Sequence, residues 1–209
     1  RDIRIGDILY IDCSTGKRNW AHRLRGQSDA VMVGIGTIIA DDSLLTARDK
    51  ENKPLGKQPI RIVVDSGLKI PLSAKLFTDN NSIIIATSSN SEKKMTDLRD
   101  LGVEVISLPG EGGLVDLSAL LDFLGRREIT SVLIEGGSEL LGSFFDEGLA
   151  DKVAFCVSPV IIGGKTAIPS VGARGANKLS EAYRLQDVSF ETAGQDFIVT
   201  GYPVKSVPH

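Results

Sequence analysis

Apolar residues rich in β-branched side chains recur along this chain as short blocks, at positions 30–33, 60–64, 83–86, 103–108, 132–134 and 153–157. Blocks that are apolar at nearly every position predict strands buried on both faces. Between them the spacing turns helical. Met95, Leu98 and Leu101 share one face of a helix that Ser91 can cap and Gly102 can end, and Asp116 can cap a second helix carrying Leu117, Leu120, Leu121 and Leu124. A third runs from Ser138 to about Glu147, with Leu140, Leu141, Phe144 and Phe145 inward and Gly148 as its stop. From Ile83 onward strands and helices alternate, which predicts right-handed crossovers and a largely parallel sheet. The tail departs from this: segments 183–191 and 197–202, separated by Thr192-Ala193-Gly194-Gln195-Asp196, predict a hairpin. The expected fold class is α/β in a single domain over residues 1–209, with a mostly parallel mixed sheet, antiparallel C-terminal strands and helices on both faces.

Within this pattern the segment Val132-Leu133-Ile134-Glu135-Gly136-Gly137-Ser138 carries the most chemistry: an apolar strand ends in a carboxylate, two glycines follow, and a helix begins. Glycine lets the backbone turn sharply and a phosphate approach closely, and the first N–H groups of the helix have no intrahelical acceptor. Such a helix start attracts anions. Glu135 would repel a phosphate, so it is expected to bind sugar hydroxyls beside it.

A second loop has the same layout. Val33-Gly34-Ile35-Gly36 ends a strand in a glycine-bearing turn, and Thr37, Asp41, Asp42 and Arg48 follow it, bringing a hydroxyl, carboxylates and a guanidinium to a strand's C-terminal end, where open α/β sheets bind ligands. Taken singly, the acidic pair reads as solvated or as a helix-end cap, and Arg48 as a surface arginine.

Composition narrows the partners. With 24 basic and 27 acidic residues the net charge is −3, and aromatic residues make up 5% of the chain, so neither a broad basic face nor a base-stacking surface for nucleic acid is expected. No apolar run reaches the roughly 20 residues that span a bilayer, and Arg1-Asp2-Ile3-Arg4 lacks a signal-peptide core; a cytoplasmic protein with no membrane partner is expected. Cys13 and Cys156, far apart, make neither a disulfide framework nor a zinc motif. Only His22 and His209 supply imidazole, which disfavours histidine triads and metal sites, and no metal is expected. His22 could serve as a base, but on a helix among Arg23 and Arg25 it reads first as a solvated or packing residue.

The strings Leu24-Arg25-Gly26-Gln27-Ser28-Asp29-Ala30, Val33-Gly34-Ile35-Gly36-Thr37, Ala40-Asp41-Asp42, Leu45-Thr46-Ala47-Arg48, Pro59-Ile60-Arg61-Ile62-Val63-Val64-Asp65-Ser66 and Ile134-Glu135-Gly136-Gly137 resemble, in order, the pyrimidine reductase of riboflavin biosynthesis. That family acts on 5-amino-6-(5-phosphoribosylamino)uracil or its diamino counterpart. The resemblance implies a dihydrofolate-reductase-like fold, NADPH as cofactor, reduction of a ribosyl group to ribityl, and a homodimer. Carried over by motif, Trp20, Thr37, Asp41, Ser66 and the turn Gly137, Ser138, Glu139, Leu140, Leu141, Gly142, Ser143 fall on cofactor positions. Arg25, Leu45, Arg48 and Glu135 fall on positions that bind the phosphorylated ribosylaminopyrimidine, the arginines forking onto its phosphate. Asp41 is the candidate catalytic residue, beside the sugar carbon that accepts hydride.

Hydroxyls at Thr87, Ser88 and Ser89, with Lys93 and Lys94 close by, are candidates for a 2′-phosphate, or equally for helix capping. The chain departs from the family near its start, where Arg18 stands at a serine position and the helix from Trp20 to Arg25 is short. A related reductase of another pterin or pyrimidine, or a non-catalytic NADPH-binding module, are the competing readings.

Overall fold

A computed structural model describes residues 9–11, 18–161 and 163–205. Among them a nine-stranded sheet has the order β5-β4-β3-β2-β6-β1-β7-β9-β8, formed by β1 (Leu9–Ile11), β2 (Ala30–Gly34), β3 (Ile60–Val64), β4 (Ile83–Thr87), β5 (Glu104–Ser107), β6 (Val132–Glu135), β7 (Val153–Val157), β8 (Tyr183–Ala193) and β9 (Asp196–Lys205). Pairing is parallel from β5 to β7, while β9 runs antiparallel to both β7 and β8. The mixed sheet and the terminal hairpin expected from the pattern are both present. The hairpin turn is tighter than the spacing suggests, since Ala193 pairs directly with Asp196 and leaves only Gly194 and Gln195 outside the ladder.

The helices are α1 (Arg18–Gln27), α2 (Ile35–Asp41), α3 (Glu92–Asp100), α4 (Leu117–Gly125) and α5 (Ser138–Asp146). They divide between the two faces because successive strand side chains point in opposite directions. Val31, Val33, Val63, Ile85 and Leu133 pack with Trp20 and Leu24 of α1, Ile38 of α2, and Met95 and Leu98 of α3. Ala30, Met32, Ile62, Ile84 and Ile134 pack with Leu120 and Leu124 of α4, and with Leu140, Leu141 and Phe144 of α5. Asp116 caps α4 through a side-chain oxygen that accepts the Ala119 N–H at 2.8 Å.

Three local expectations change. The segment read as a glycine turn, Ile35 to Asp41, is helical; it buries only Ile38 while Ile39 is 57% exposed, so it has no apolar stripe for a pattern to reveal. Ser91 precedes α3 without a side-chain cap, and Leu101, just past the last helical residue, is exposed rather than inward. Strand β1 is too short to register as an apolar block, and it fills the gap between β6 and β7.

Phe144 is 1% exposed in the core beneath α5. Phe144→Ala should lower unfolding stability by about 3–5 kcal/mol, read as a lower urea midpoint at unchanged slope; a shift below 1 kcal/mol would place this ring outside the cooperative core.

Candidate active site

Strands β2 and β6 are neighbours, yet the chain leaves β2 through α2 toward β3 on one side and leaves β6 through α5 toward β7 on the other. This reversal opens a crevice at the strands' carboxyl ends, the place where ligands enter open α/β sheets. Gly136 and Gly137 lie at its floor with φ of +71° and +83°, values that a side chain would strain. A Cβ at Gly136 would press on the Thr37 hydroxyl, and one at Gly137 on the backbone of Gly34, so the two loops meet glycine to glycine. No side chain caps α5 at Gly137, and the first bond of that helix runs from the Leu141 N–H to the Gly137 carbonyl at 3.0 Å. The amides of Ser138, Glu139 and Leu140 thus precede the helix's own hydrogen-bond ladder and can take an anionic ligand.

Glu135 closes β6 with its side chain on the α1 face, the alternate position from Ile134. Arg25, in the last turn of α1, meets it with a fork: Nε donates to Oε1 at 2.7 Å and a terminal nitrogen to Oε2 at 2.5 Å. The side chains are 15% and 9% exposed, so the pair is largely withdrawn from water. The other terminal nitrogen of Arg25 donates to the Thr46 carbonyl at 3.0 Å, and the ring Nδ1 of His22 lies 2.9 Å from the same oxygen. Thr46 follows Leu45, which has a φ of +53° and is sustained there by a side chain only 2% exposed. Arg48 donates from Nε to the Thr46 hydroxyl at 3.0 Å and from a terminal nitrogen to the Asn52 carbonyl at 3.0 Å. One residue, Thr46, therefore gathers His22 and Arg25 at its carbonyl and Arg48 at its hydroxyl.

Arg61 fastens this loop from below. Although 1% exposed, it donates to the Leu44 carbonyl at 3.3 Å, to Asp79 at 2.7 Å and to the Asn81 carbonyl at 2.7 Å, tying the segment before Leu45 to the entry of β4. Asp42 serves the same end, accepting the Lys75 N–H at 2.8 Å.

The structure redistributes several of the expected roles. Thr37 and Asp41 lie on α2 four residues apart, hence on one face, with Asp41 exposed. Trp20 is a core residue of α1, 9% exposed, and its Nε1 donates to Glu191 at 2.7 Å. Leu45 is likewise buried and offers a ligand only its backbone. In the turn from 137 to 143, Leu140 and Leu141 point into the core, Gly142 is pressed against the Gly172 carbonyl, and the Ser143 hydroxyl bonds back to the Glu139 carbonyl at 3.0 Å. What that turn presents is Gly137, Ser138, Glu139 and the Leu140 amide.

Glu135, read as a sugar ligand, has both oxygens engaged by Arg25, because a buried carboxylate needs a partner of opposite charge. Ser66 ends the β3 turn half-buried, and its carbonyl accepts from the hydroxyls of Thr87 at 3.2 Å and Ser88 at 3.0 Å. Those two hydroxyls hold loops together rather than waiting for a phosphate. His22, expected to be solvated or packed, and Thr46, given no role of its own, both belong to the cluster; the spacing of His22 and Arg25, three apart on one helix, is the signal that links them.

Residues 10–199 match the family described as the RibD C-terminal domain. The chain belongs to the RibD C-terminal domain family. It is 37% identical over 200 residues to the 2,5-diamino-6-ribosylamino-4(3H)-pyrimidinone 5′-phosphate reductase of Archaeoglobus fulgidus, covering 92% of this chain and 87% of that protein. It is also 37% identical over 177 residues to the riboflavin biosynthesis protein RibD of Actinobacillus pleuropneumoniae, covering 84% of this chain and 46% of that one. The chain thus spans about half the length of the RibD proteins it matches. Among solved structures, Acinetobacter baumannii RibD superposes with a TM-score of 0.78 at 28% identity, over 93% of this chain and 52% of that one. In this RibD C-terminal domain the crevice between β2 and β6, with its ion pair and glycine turn, is the candidate active site.

Removing one partner of the Arg25–Glu135 pair leaves the other charge buried alone. Arg25→Leu and Glu135→Leu should each destabilise the protein by roughly 3 kcal/mol, and the double variant by less than the sum. Additive losses in a urea double-mutant cycle would mean the two groups are not coupled.

Proposed function

We propose that this chain is an NADPH-dependent reductase that converts the ribosyl group of 5-amino-6-(5-phosphoribosylamino)uracil, or of its diaminopyrimidinone counterpart, to a ribityl chain in riboflavin biosynthesis. The carrying observation is the juxtaposition, at one sheet reversal, of an uncapped helix start behind two left-handed glycines and a half-buried cationic cluster centred on Thr46. The first suits the diphosphate of a dinucleotide and the second the phosphate of a sugar. The name of the A. fulgidus relative, of which the chain covers 87%, agrees with a phosphorylated ribosylaminopyrimidine as substrate.

The residues present fit the cofactor. Close approach of a diphosphate requires backbone without Cβ atoms, and Gly136 and Gly137 provide it; Thr37, the amides of Ser138 and Glu139 ahead of the helix's own ladder, and the half-buried Ser66 complete its contacts. When bound, a nicotinamide supplies the hydride for the substrate's C1′. The chain's own work is orientation and charge. Arg25 and Arg48 hold the substrate's phosphate, Glu135 keeps Arg25 in place while meeting sugar hydroxyls, and Asp41 serves the sugar oxygen that takes up a proton as the ring opens.

We further propose that the protein works in the cytoplasm as a homodimer. No helix among the described residues is long and apolar enough to cross a membrane, and the terminal hairpin carries Phe190 at 74% and Phe197 at 53% exposure, apolar surface suited to a second copy.

NADPH oxidation with the ribosylaminopyrimidine phosphate tests the reading; cofactor binding without turnover would favour a binding module. Asp41→Asn should lower kcat about 100-fold with little change in NADPH affinity, and unchanged turnover would remove Asp41 from the reaction. Arg48→Met should raise KM about tenfold for the phosphorylated substrate and leave weak turnover of a dephosphorylated analogue unaltered; equal losses on both would argue against a phosphate at this loop.

A further inference from the structure

The imidazole of His22 has a defined hydrogen-bonding state. Its Nδ1 faces the Thr46 carbonyl at 2.9 Å, and a carbonyl only accepts, so Nδ1 carries the hydrogen. In the neutral ring Nε2 is then the basic nitrogen, and it has no partner among the described residues. The charged groups around the ring come from three elements: Arg25 on the same helix, Arg48 from the loop that carries Thr46, and Glu135 at the end of β6. Two cations face the ring against one carboxylate, and that carboxylate is already forked by Arg25.

We infer that His22 is a proton-linked positioning residue for the substrate's phosphate end: neutral in the free protein, it takes up a proton when a sugar phosphate binds at Arg25 and Arg48. The inference rests on the reading that these arginines hold a phosphate. Burial, followed by the neighbouring Arg25, keeps the free imidazole below the ordinary histidine range, with the Thr46 hydrogen bond and Glu135 opposing. A phosphate dianion reverses the local balance, since an opposite charge nearby favours the protonated ring. The sign follows directly. Ligand binding raises the pKa of His22, so proton uptake is largest between the free and liganded values and fades when pH lies well above or below both. Through Nδ1–H the ring holds the Thr46 carbonyl in either state; the protonated state adds a third positive charge to the cluster.

Ribose 5-phosphate is the probe. The chain has two histidines, so imidazole NMR resolves His22 from His209 once His22→Asn, or His209→Asn should the first not fold, identifies the signals. In the wild-type protein the His22 midpoint should lie below the usual value and rise by about one unit or more at saturating ribose 5-phosphate; ribose alone should leave it in place. Calorimetry in two buffers of different ionisation enthalpy should register proton uptake by the wild type that His22→Asn lacks, the ligand's own ionisation near about pH 6 being common to both.

An unmoved midpoint, equal proton uptake in the two proteins, or no binding of ribose 5-phosphate would each overturn the inference. NADPH oxidation by the wild type reports separately on the reductase reading. An active enzyme with a silent His22 therefore condemns only the role given to the histidine.

Discussion

A carboxylate at the end of a central strand, nearly out of reach of water, is sustained by one guanidinium. Burying either charge alone is costly, and the bidentate geometry of Arg25 on Glu135 is what makes the pair tolerable. The consequences spread outward. Because Arg25 is held at two nitrogens by β6, its third nitrogen reaches the Thr46 carbonyl, which joins the loop after α2 to both α1 and the sheet. That contact ties α1 to the loop whose Thr46 hydroxyl also accepts from Arg48.

Strain and room are arranged around the same point. Leu45 adopts a left-handed backbone that a leucine avoids, and burial of its side chain offsets the penalty. Gly136 and Gly137 use the same region without penalty, and the space they leave is bounded by Thr37 and Gly34 of the adjoining loop. One loop is therefore stiff and cationic, fixed from below by the buried Arg61, while the other is bare backbone. Two unlike cradles, one cationic and one of bare backbone, thus border the same crevice.

Much of the architecture was legible in the chain's pattern. The buried strands announced themselves as apolar blocks, α4 and α5 as leucine and phenylalanine stripes, and the terminal hairpin as two segments about a glycine. The helix Ile35–Asp41 was not legible, because it buries one residue and so produces no periodic signal. The site was legible as a set of positions but not as a set of bonds. Asp41, Arg48 and Glu135 stand out by type and neighbourhood, whereas the depth to which α1 sinks Trp20 into the core is not written in its local sequence.

By itself the sequence determined the alternation of strands and helices from β4 onward, the Gly136-Gly137 turn and the family, since each is written in local spacing. Which groups pair was decided only by the tertiary structure. Arg25 and Glu135 are 110 residues apart, and His22 meets the Thr46 carbonyl across 24; such contacts depend on strand order and helix phase, and no local pattern encodes them. A side chain's role at this crevice is set by the charge that the fold brings against it in a place poor in water.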